Sequence, residues 1–136
     1  MKKENVLGDN KIEFEKYKEE VQEKWGLTKE YSQYKEKTKN YSKNNWNDLL
    51  ERMDNIMKKF AVCMENDESP DSVKAQNLVK QLQNHITDNY YVCTNEILSG
   101  LGQMYILDER FKNNIDKHAN GTAEYINKAI KVYCGK

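Results

Sequence analysis

The sequence predicts an all-α fold, and three observations support this prediction. Apolar residues recur at intervals of three to four positions along most of the chain, which is the spacing of one helix face. No segment alternates apolar and polar residues in the way that a half-buried strand does. There is a single proline, so long stretches can continue as helices. We therefore expect a helical domain of about five helices, preceded by additional N-terminal helices.

The additional N-terminal helices are predicted from two apolar stripes. The first helix spans about residues 11–25 and carries the stripe Phe14, Tyr17, Val21 and Trp25. The second is marked by Tyr31, Tyr34, Thr38 and Tyr41.

The next two helices are predicted from their starts and their stripes. Ser42 is a candidate N-cap for the first of them, because its hydroxyl can accept a hydrogen bond from a free backbone N–H. Its stripe comprises Trp46, Leu49, Leu50, Met53, Ile56, Met57, Phe60 and Met64. Ser69 is predicted to cap the following helix, with Pro70 at its first position. The apolar residues of that helix are Val73, Leu78, Val79, Leu82, Ile86 and Tyr90.

Three more helices complete the predicted domain. One runs over about residues 94–107 and carries Ile97, Leu98, Leu101, Met104 and Tyr105. Asp108 is predicted to cap a short helix that contains Phe111 and Ile115. After Asn120-Gly121, the last helix presents Tyr125, Ile126, Ala129, Ile130 and Tyr133.

The chain divides into two parts by composition. Apolar residues make up roughly a quarter of residues 1–40 but roughly two fifths of residues 41–136. Since apolar burial must offset the entropy lost on ordering the backbone, the first part has less with which to do so. We expect residues 41–136 to form the stable domain. Residues 1–40 are expected to be marginal alone and to become ordered on a ligand or partner.

Composition also excludes several classes of function. Lys plus Arg and Asp plus Glu both number 22, and this balance argues against nucleic-acid binding. The chain contains no apolar run of membrane-spanning length and no apolar N-terminal leader, so a cytoplasmic location is expected. The three cysteines form no CxxC pair, and no cofactor or metal site is predicted.

Cys93 is the first candidate for chemistry. It lies just before, or early in, the helix over about residues 94–107, where the helix dipole would raise its thiolate fraction, and the functional interpretation is a thiol that faces a cleft. On the residues alone, the favoured interpretation is a small buried apolar side chain, as for most free cysteines. His85 lies eight residues earlier, an offset that makes the two neighbours at best, so a Cys–His pair is weakly supported.

Aromatic and glycine residues supply the other candidates. Trp46, Tyr90, Tyr91 and Tyr105 could line an apolar ligand pocket or belong to an ordinary core. Met104 suits either environment. Gly100 and Gly102 each weaken a helix interior by about 1 kcal/mol relative to Ala, so we expect a close helix contact first and a pocket floor second.

Several motifs occur in an order that resembles one known family. They are Trp46 with its Met/Phe helix, Ser69-Pro70, Ala75-Gln76, His85-Ile86, Cys93-x-x-Glu96, Gly100-Leu101-Gly102-x-Met104-Tyr105, Asp108-x-Arg110-Phe111, Asn114-Ile115-Asp116 and Ala129-Ile130. Tyr17, Trp25-Gly26 and Tyr31 extend the match upstream. The chain resembles the TipAS antibiotic-recognition domain, the ligand-binding half of MerR-type regulators induced by thiopeptides such as thiostrepton.

The resemblance implies a globin-like core without haem and N-terminal helices that fold over a bulky, peptide-like antibiotic. It also implies a ligand site that includes Trp46, His85, Tyr90, Tyr91, Cys93, Gly100, Met104 and Tyr105. In some family members a cysteine adds covalently to a dehydroalanine of the thiopeptide, and Cys93 is the candidate here. Positions 98–102 hold no thiol, so a family attachment point there would leave non-covalent binding alone.

No helix-turn-helix pattern or basic region precedes residue 41. We therefore expect either a stand-alone binding domain that sequesters antibiotic, or a sensing domain that works with a fused or separate MerR-type DNA-binding domain. The alternative is a helical interaction module whose residues 1–40 fold on another protein. An enzyme that uses Cys93 and His85 is not expected.

Overall fold

The computed structural model describes residues 29–135, so the helix predicted over about residues 11–25 lies outside the described part. The described range contains α1 (Lys29–Thr38), α2 (Lys43–Glu65), α3 (Val73–Asn89), α4 (Asn95–Leu107), α5 (Glu109–Asp116) and α6 (Thr122–Tyr133). These residues form helices and no strand, which confirms the all-α prediction. None of the described helices combines the length and apolar character that crossing a membrane requires.

The predicted helix starts at Ser42 and Asp108 are confirmed. At Ser42 a reciprocal capping box forms, because the N–H of Asn45 donates to Ser42 Oγ over 3.1 Å and the N–H of Ser42 donates to Asn45 Oδ1 over 2.9 Å. Asp108 accepts a bond from the N–H of Arg110 over 3.0 Å and so begins α5. Each cap satisfies backbone donors that the first helical turn leaves without a partner.

The start predicted at Ser69 is wrong, because α3 begins three residues later. Ser72 is its N-cap and accepts a bond from the N–H of Ala75 over 3.1 Å. Residues 69–72 form a turn instead, and contacts from distant helices stabilise it. Gln76 Nε2 donates to the carbonyl of Pro70 over 2.8 Å and to that of Ala129 on α6 over 3.1 Å. The bond to Ala129 is formed only once α3 and α6 have met.

Helix α6 lies at the centre of the described fold. It packs against α2, α3, α4 and α5, and it contributes Ile126, Ala129 and Ile130 with no exposed surface. The other fully buried apolar side chains that meet it in the core include Phe60, Val79, Leu82 and Leu98. Burying one such large side chain stabilises a fold by about 1.5–3 kcal/mol, so this contact region holds the helices together.

Gly102 allows α4 to approach α6 closely. A Cβ added at Gly102 would lie 2.8 Å from Asn127 Oδ1 and 3.2 Å from Ile130 Cδ1. Gly100 is exposed, and a Cβ added there meets nothing within 4 Å. The two glycines therefore differ: Gly102 confirms the expected close helix contact, and Gly100 takes no part in it.

Substituting these two glycines should have opposite effects on stability. Gly102→Ala should lower the free energy of unfolding by about 1–3 kcal/mol, because Asn127 and Ile130 are buried and must shift. Gly100→Ala should raise it by about 0.5–1 kcal/mol through helix propensity alone. Urea denaturation followed by circular dichroism measures both. Equal effects of the two substitutions would contradict the close contact of α4 and α6.

Candidate functional site

Aromatic rings collect where α1, the start of α2 and the end of α3 meet, and we call Tyr34, Tyr41, Trp46, His85 and Tyr90 the aromatic cluster. Tyr90 lies at its centre, with ring centroids 6.0 Å from Trp46 and 6.2 Å from Tyr34, both in stacked orientations. Tyr41 and Trp46 meet edge to face, with ring centroids 5.4 Å apart. Such pairs each contribute about 0.5–1.5 kcal/mol beyond their buried area.

The end of α3 positions Tyr90. The N–H groups of Tyr90 and Tyr91 both donate to the carbonyl of Ile86, over 2.9 and 3.2 Å, and the helix stops there. The hydroxyl of Tyr41 donates to the carbonyl of Asn89 over 2.5 Å and fixes the chain that enters α2. Burial raises the pKa of Tyr90, and the nearby Tyr34 and Tyr41 raise it further. Tyr90 is therefore a neutral ring at physiological pH.

His85 lies in the last turns of α3, five residues before Tyr90, which caps the end of that helix. The two rings meet edge to face with centroids 5.9 Å apart, and His85 is only 8% exposed. Burial lowers the pKa of His85, and the Arg52 guanidinium lowers it further, against the opposing effect of Asp88 and Asp48. The imidazole is therefore neutral at pH 7.

Helix α1 covers one side of the aromatic cluster without entering the core. None of its residues is buried. Lys37 Nζ donates to the carbonyls of Thr87 and Asp88, over 2.8 and 3.2 Å, at the C-terminal end of α3. Gln33 Oε1 accepts a bond from the N–H of Val92 over 2.8 Å. Polar bonds at the surface and ring contacts therefore hold α1 in place.

The expectation of an accessible, acidified thiol at Cys93 is wrong for this structure. Cys93 is 4% exposed, and burial raises the pKa of its thiol to about 12, with a further contribution from Cys134. It does precede α4, whose N-cap is Thr94, but desolvation outweighs the helix dipole. No hydrogen bond joins Cys93 to His85, so the structure provides no Cys–His pair.

Hydrogen bonds hold both the N–H and the carbonyl of Cys93. The N–H of Cys93 donates to Thr87 Oγ1 over 3.1 Å, and its carbonyl accepts a bond from Gln83 Nε2 over 2.9 Å. Gln83 in turn accepts a bond from the hydroxyl of Tyr133 over 2.9 Å. The α3–α4 connection is therefore attached to α3 and to the end of α6.

The predicted site residues fall into three places. Trp46, His85 and Tyr90 belong to the aromatic cluster, and Tyr91 and Cys93 lie on the connection from α3 to α4. Gly100, Met104 and Tyr105 lie on α4, where Tyr105 is buried, Met104 is partly buried and Gly100 is exposed. The ring of Tyr105 is 6.0 Å from that of Phe111. The structure thus brings together Trp46, His85 and Tyr90. The other predicted site residues lie on the connection after α3 and on α4.

Sequence reasoning did not include Tyr34 and Tyr41 among the site residues. The signal was present, because both were assigned to a helix stripe that approaches Trp46 along the chain. Tyr41 in fact lies beyond α1, which ends at Thr38, in the turn that leads to α2. The end of α1 turns the chain back, and this brings both rings onto Trp46.

Two surface depressions in the described part lie away from the aromatic cluster. One of about 350 Å³ is lined by Glu109, Arg110, Asn113, Asn114 and Lys117, and another of about 330 Å³ lies beside Met64 and Tyr125. Neither contains a predicted site residue. Among residues 29–135, no group of three or more His, Cys, Asp or Glu side chains is arranged to hold a metal ion. The aromatic cluster is therefore the candidate site.

Comparison with known proteins gives one consistent family. The model of the TipAS antibiotic-recognition domain matches residues 17–133. The HTH-type transcriptional activator TipA of Streptomyces coelicolor is 38% identical over 125 residues, which cover 92% of this chain and 49% of TipA. The HTH-type transcriptional activator mta of Bacillus subtilis is 35% identical over 119 residues, covering 87% of this chain and 45% of mta.

A solved structure extends the comparison to three dimensions. The chain is similar to TipAS from Streptomyces lividans, in complex with nosiheptide, with a TM-score of 0.80 and 37% identity over 89% of this chain and 85% of that one. The match over residues 17–133 places this helical chain in a class of recognition domains. The chain belongs to the TipAS antibiotic-recognition domain family. It spans about half the length of the transcriptional activators that it matches.

The burial of Cys93 predicts a clear order of thiol reactivity. At pH 8, iodoacetamide should modify the partly exposed Cys134 at least about tenfold faster than Cys93, because a thiol with a raised pKa carries little thiolate. Peptide mass spectrometry over a time course measures both rates. Unfolding in urea should abolish the difference and serves as the control. Faster modification of Cys93 in the folded protein would contradict its burial.

The lowered pKa of His85 predicts how stability changes with pH. The unfolded chain protonates His85 below about pH 6.5, whereas the folded chain does not, so the free energy of unfolding should fall as the pH falls through that value. His85→Gln should remove this part of the pH dependence. A second loss should remain below about pH 4, because the unfolded chain protonates Asp54 there while the folded chain still holds the carboxylate ionised. Hydrogen bonding by His118 and the charge of Lys117 lower the pKa of Asp54 despite the opposing effect of its burial.

Urea denaturation at a series of pH values measures this dependence for the natural chain and the variant. Superimposable profiles above about pH 5 would contradict a neutral, buried His85.

Proposed function

We propose that this chain is an antibiotic-binding domain that takes up a bulky, thiopeptide-like ligand and either senses or sequesters it. The similarity to TipAS in complex with nosiheptide carries this proposal, because it combines a TM-score of 0.80 with 37% identity over most of the chain. In the sensing form, a MerR-type DNA-binding domain, fused or separate, would contact DNA. The domain itself would bind neither nucleic acid nor membrane, and it would act without catalytic turnover.

The proposed binding residues come from the aromatic cluster, from the α3–α4 connection and from α4. It comprises Trp46, His85, Tyr90, Tyr91, Cys93, Gly100, Met104 and Tyr105. The stacked faces of Trp46 and Tyr90 support this choice, since ligand sites are mostly apolar and aromatic with few polar groups. Tyr34 joins the surface through its contact with Tyr90.

Residues 1–40 are proposed to become ordered over the bound ligand. The absence of any buried residue on α1 supports this proposal, because displacing α1 leaves the core intact. The same observation favours a second candidate function, in which this segment folds on another protein instead. The two candidates differ in what the chain responds to: an antibiotic in the first, a protein in the second.

Cys93 is proposed to border the ligand in the described arrangement. Covalent capture would form a bond from the Cys93 thiolate to the methylene carbon of a dehydroalanine, and the adjacent carbon would then take up a proton. The first step requires a deprotonated thiol, and burial disfavours that form of Cys93, so the α3–α4 connection would have to open first. Covalent attachment is therefore proposed as a slow step that follows binding.

Titration with nosiheptide and thiostrepton tests the proposal. Isothermal calorimetry should give saturable binding, and amide spectra should show new dispersed signals from residues 1–40. Tyr90→Leu should weaken binding by about tenfold because it removes the central ring of the cluster. Tyr90→Phe is the matched control and should retain affinity, because it keeps the ring and removes only the hydroxyl.

Intact mass after prolonged incubation tests the covalent step. A ligand adduct should form slowly and be absent in Cys93→Ala, while calorimetric affinity is retained. Absence of any response to thiopeptides would rule out the first candidate and leave the interaction module.

A further inference from the structure

A buried ring nitrogen in the aromatic cluster has no hydrogen-bond partner among the described residues. It is Nε2 of His85, a residue that is 8% exposed. Buried polar atoms in native proteins are almost always bonded, so each exception calls for an explanation. Asn127 Oδ1 is the other such atom in the described part, but it lies against Gly102 in the contact of α4 and α6, away from the cluster.

The neighbouring asparagine determines where the ring proton lies. Asn89 Nδ2 donates to the carbonyl of His85 over 2.8 Å, and because a carbonyl can only accept, this bond fixes the orientation of the Asn89 amide. The same Nδ2 lies 3.5 Å from His85 Nδ1. An amide nitrogen only donates, so Nδ1 is on the accepting side and Nε2 carries the proton. The unpartnered atom is therefore an N–H donor.

The charges around His85 come from both helices that pack beside it. Asp48 and Arg52 on α2 form an ion pair of 3.0 Å, and Asp88 follows on α3. Burial is the largest influence on the pKa of His85, and it lowers that pKa. The ring thus offers a neutral donor, without a positive charge of its own.

Access to Nε2 is controlled by few contacts. The ring of Tyr90 meets that of His85 edge to face, and Tyr34 of α1 stacks on Tyr90. No residue of α1 is buried, and its fixed points are the surface bonds of Lys37 and Gln33. A ligand that takes the place of Tyr34 beside Trp46 and Tyr90 would lie next to the imidazole that Tyr90 contacts.

We propose that His85 is a specificity-determining residue whose Nε2–H donates to an uncharged hydrogen-bond acceptor, such as an amide carbonyl, of the bound ligand. This inference rests on the proposed function and adds the kind of ligand group that the site selects. A ligand that presents a cation or only donors at this point leaves the N–H without a partner. The competing explanation is an ordered water molecule that bonds Nε2 and stays there when ligand binds.

Three forms of the full chain, with nosiheptide as the probe, test the proposal. They are the natural sequence, His85→Phe, which keeps a ring of similar size without a donor, and His85→Gln, which keeps a donor. Calorimetry should show affinity about tenfold weaker for His85→Phe, since one hydrogen bond is lost, and partly restored for His85→Gln. In the natural chain, nitrogen-15 NMR of the imidazole should report protonated Nε2 before binding and a changed Nε2–H shift afterwards.

The outcomes separate the two proposals. If the natural chain does not bind nosiheptide, the proposed function fails and this inference fails with it. If the natural chain binds and His85→Phe binds equally well, only the role of His85 is overturned. If His85→Phe does not fold, the NMR measurement decides, because an Nε2–H signal that ligand leaves unchanged indicates an ordered water only and overturns the role.

Discussion

The packing of α6 against its neighbours is the contact on which the described fold depends. Its buried residues Ile126, Ala129 and Ile130 meet side chains from α2, α3 and α4. The connections depend on it as well. The Tyr125 hydroxyl donates to the carbonyl of Glu68 over 2.8 Å, and Asp116 Oδ1 accepts the N–H of Ala123 over 2.9 Å. A change that moves α6 therefore moves both the turn before α3 and the end of α5.

The aromatic cluster is built on a different physical basis. Ring faces and bonds to backbone carbonyls hold it, whereas interdigitated aliphatic side chains hold the core. Contacts of the first kind are weak individually and are accessible from solvent, so they can be exchanged for contacts with a ligand at little expense to the core. The division would allow the domain to take up the proposed ligand at one edge and still keep a fixed framework.

Local rules predicted much of the helical framework. Ser42 and Asp108 cap helices as expected, because a serine or aspartate before an apolar stripe needs only the nearest backbone N–H groups. The helix start predicted at Ser69 was wrong because Gln76, Tyr125 and the carbonyl of Ala129 determine the turn over residues 69–72. These groups meet only in the folded chain. The apolar spacing also could not distinguish Gly100 from Gly102, since the residues that Gly102 contacts, Asn127 and Ile130, lie on another helix.

The candidate site was harder to predict than the helices. Trp46, His85 and Tyr90 were predicted as site residues through the family resemblance, and the structure brings their rings together. Tyr34 and Tyr41 were not identified, since only the turn after α1 brings them to Trp46. The chemistry of Cys93 depended on burial, which sequence position does not reveal: its place before α4 suggested an acidified thiol, and desolvation by the folded chain produces the opposite.

The geometry around Trp46 has an optical consequence. Tyr41, Tyr90 and Tyr34 have ring centroids 5.4, 6.0 and 6.5 Å from the indole. At such separations, light absorbed by a phenol ring passes readily to the indole, whose emission then depends on how many phenols remain beside it. Trp46 thus accepts excitation energy from these phenol rings. Because Tyr34 lies on α1, the emission of Trp46 should change when α1 moves away.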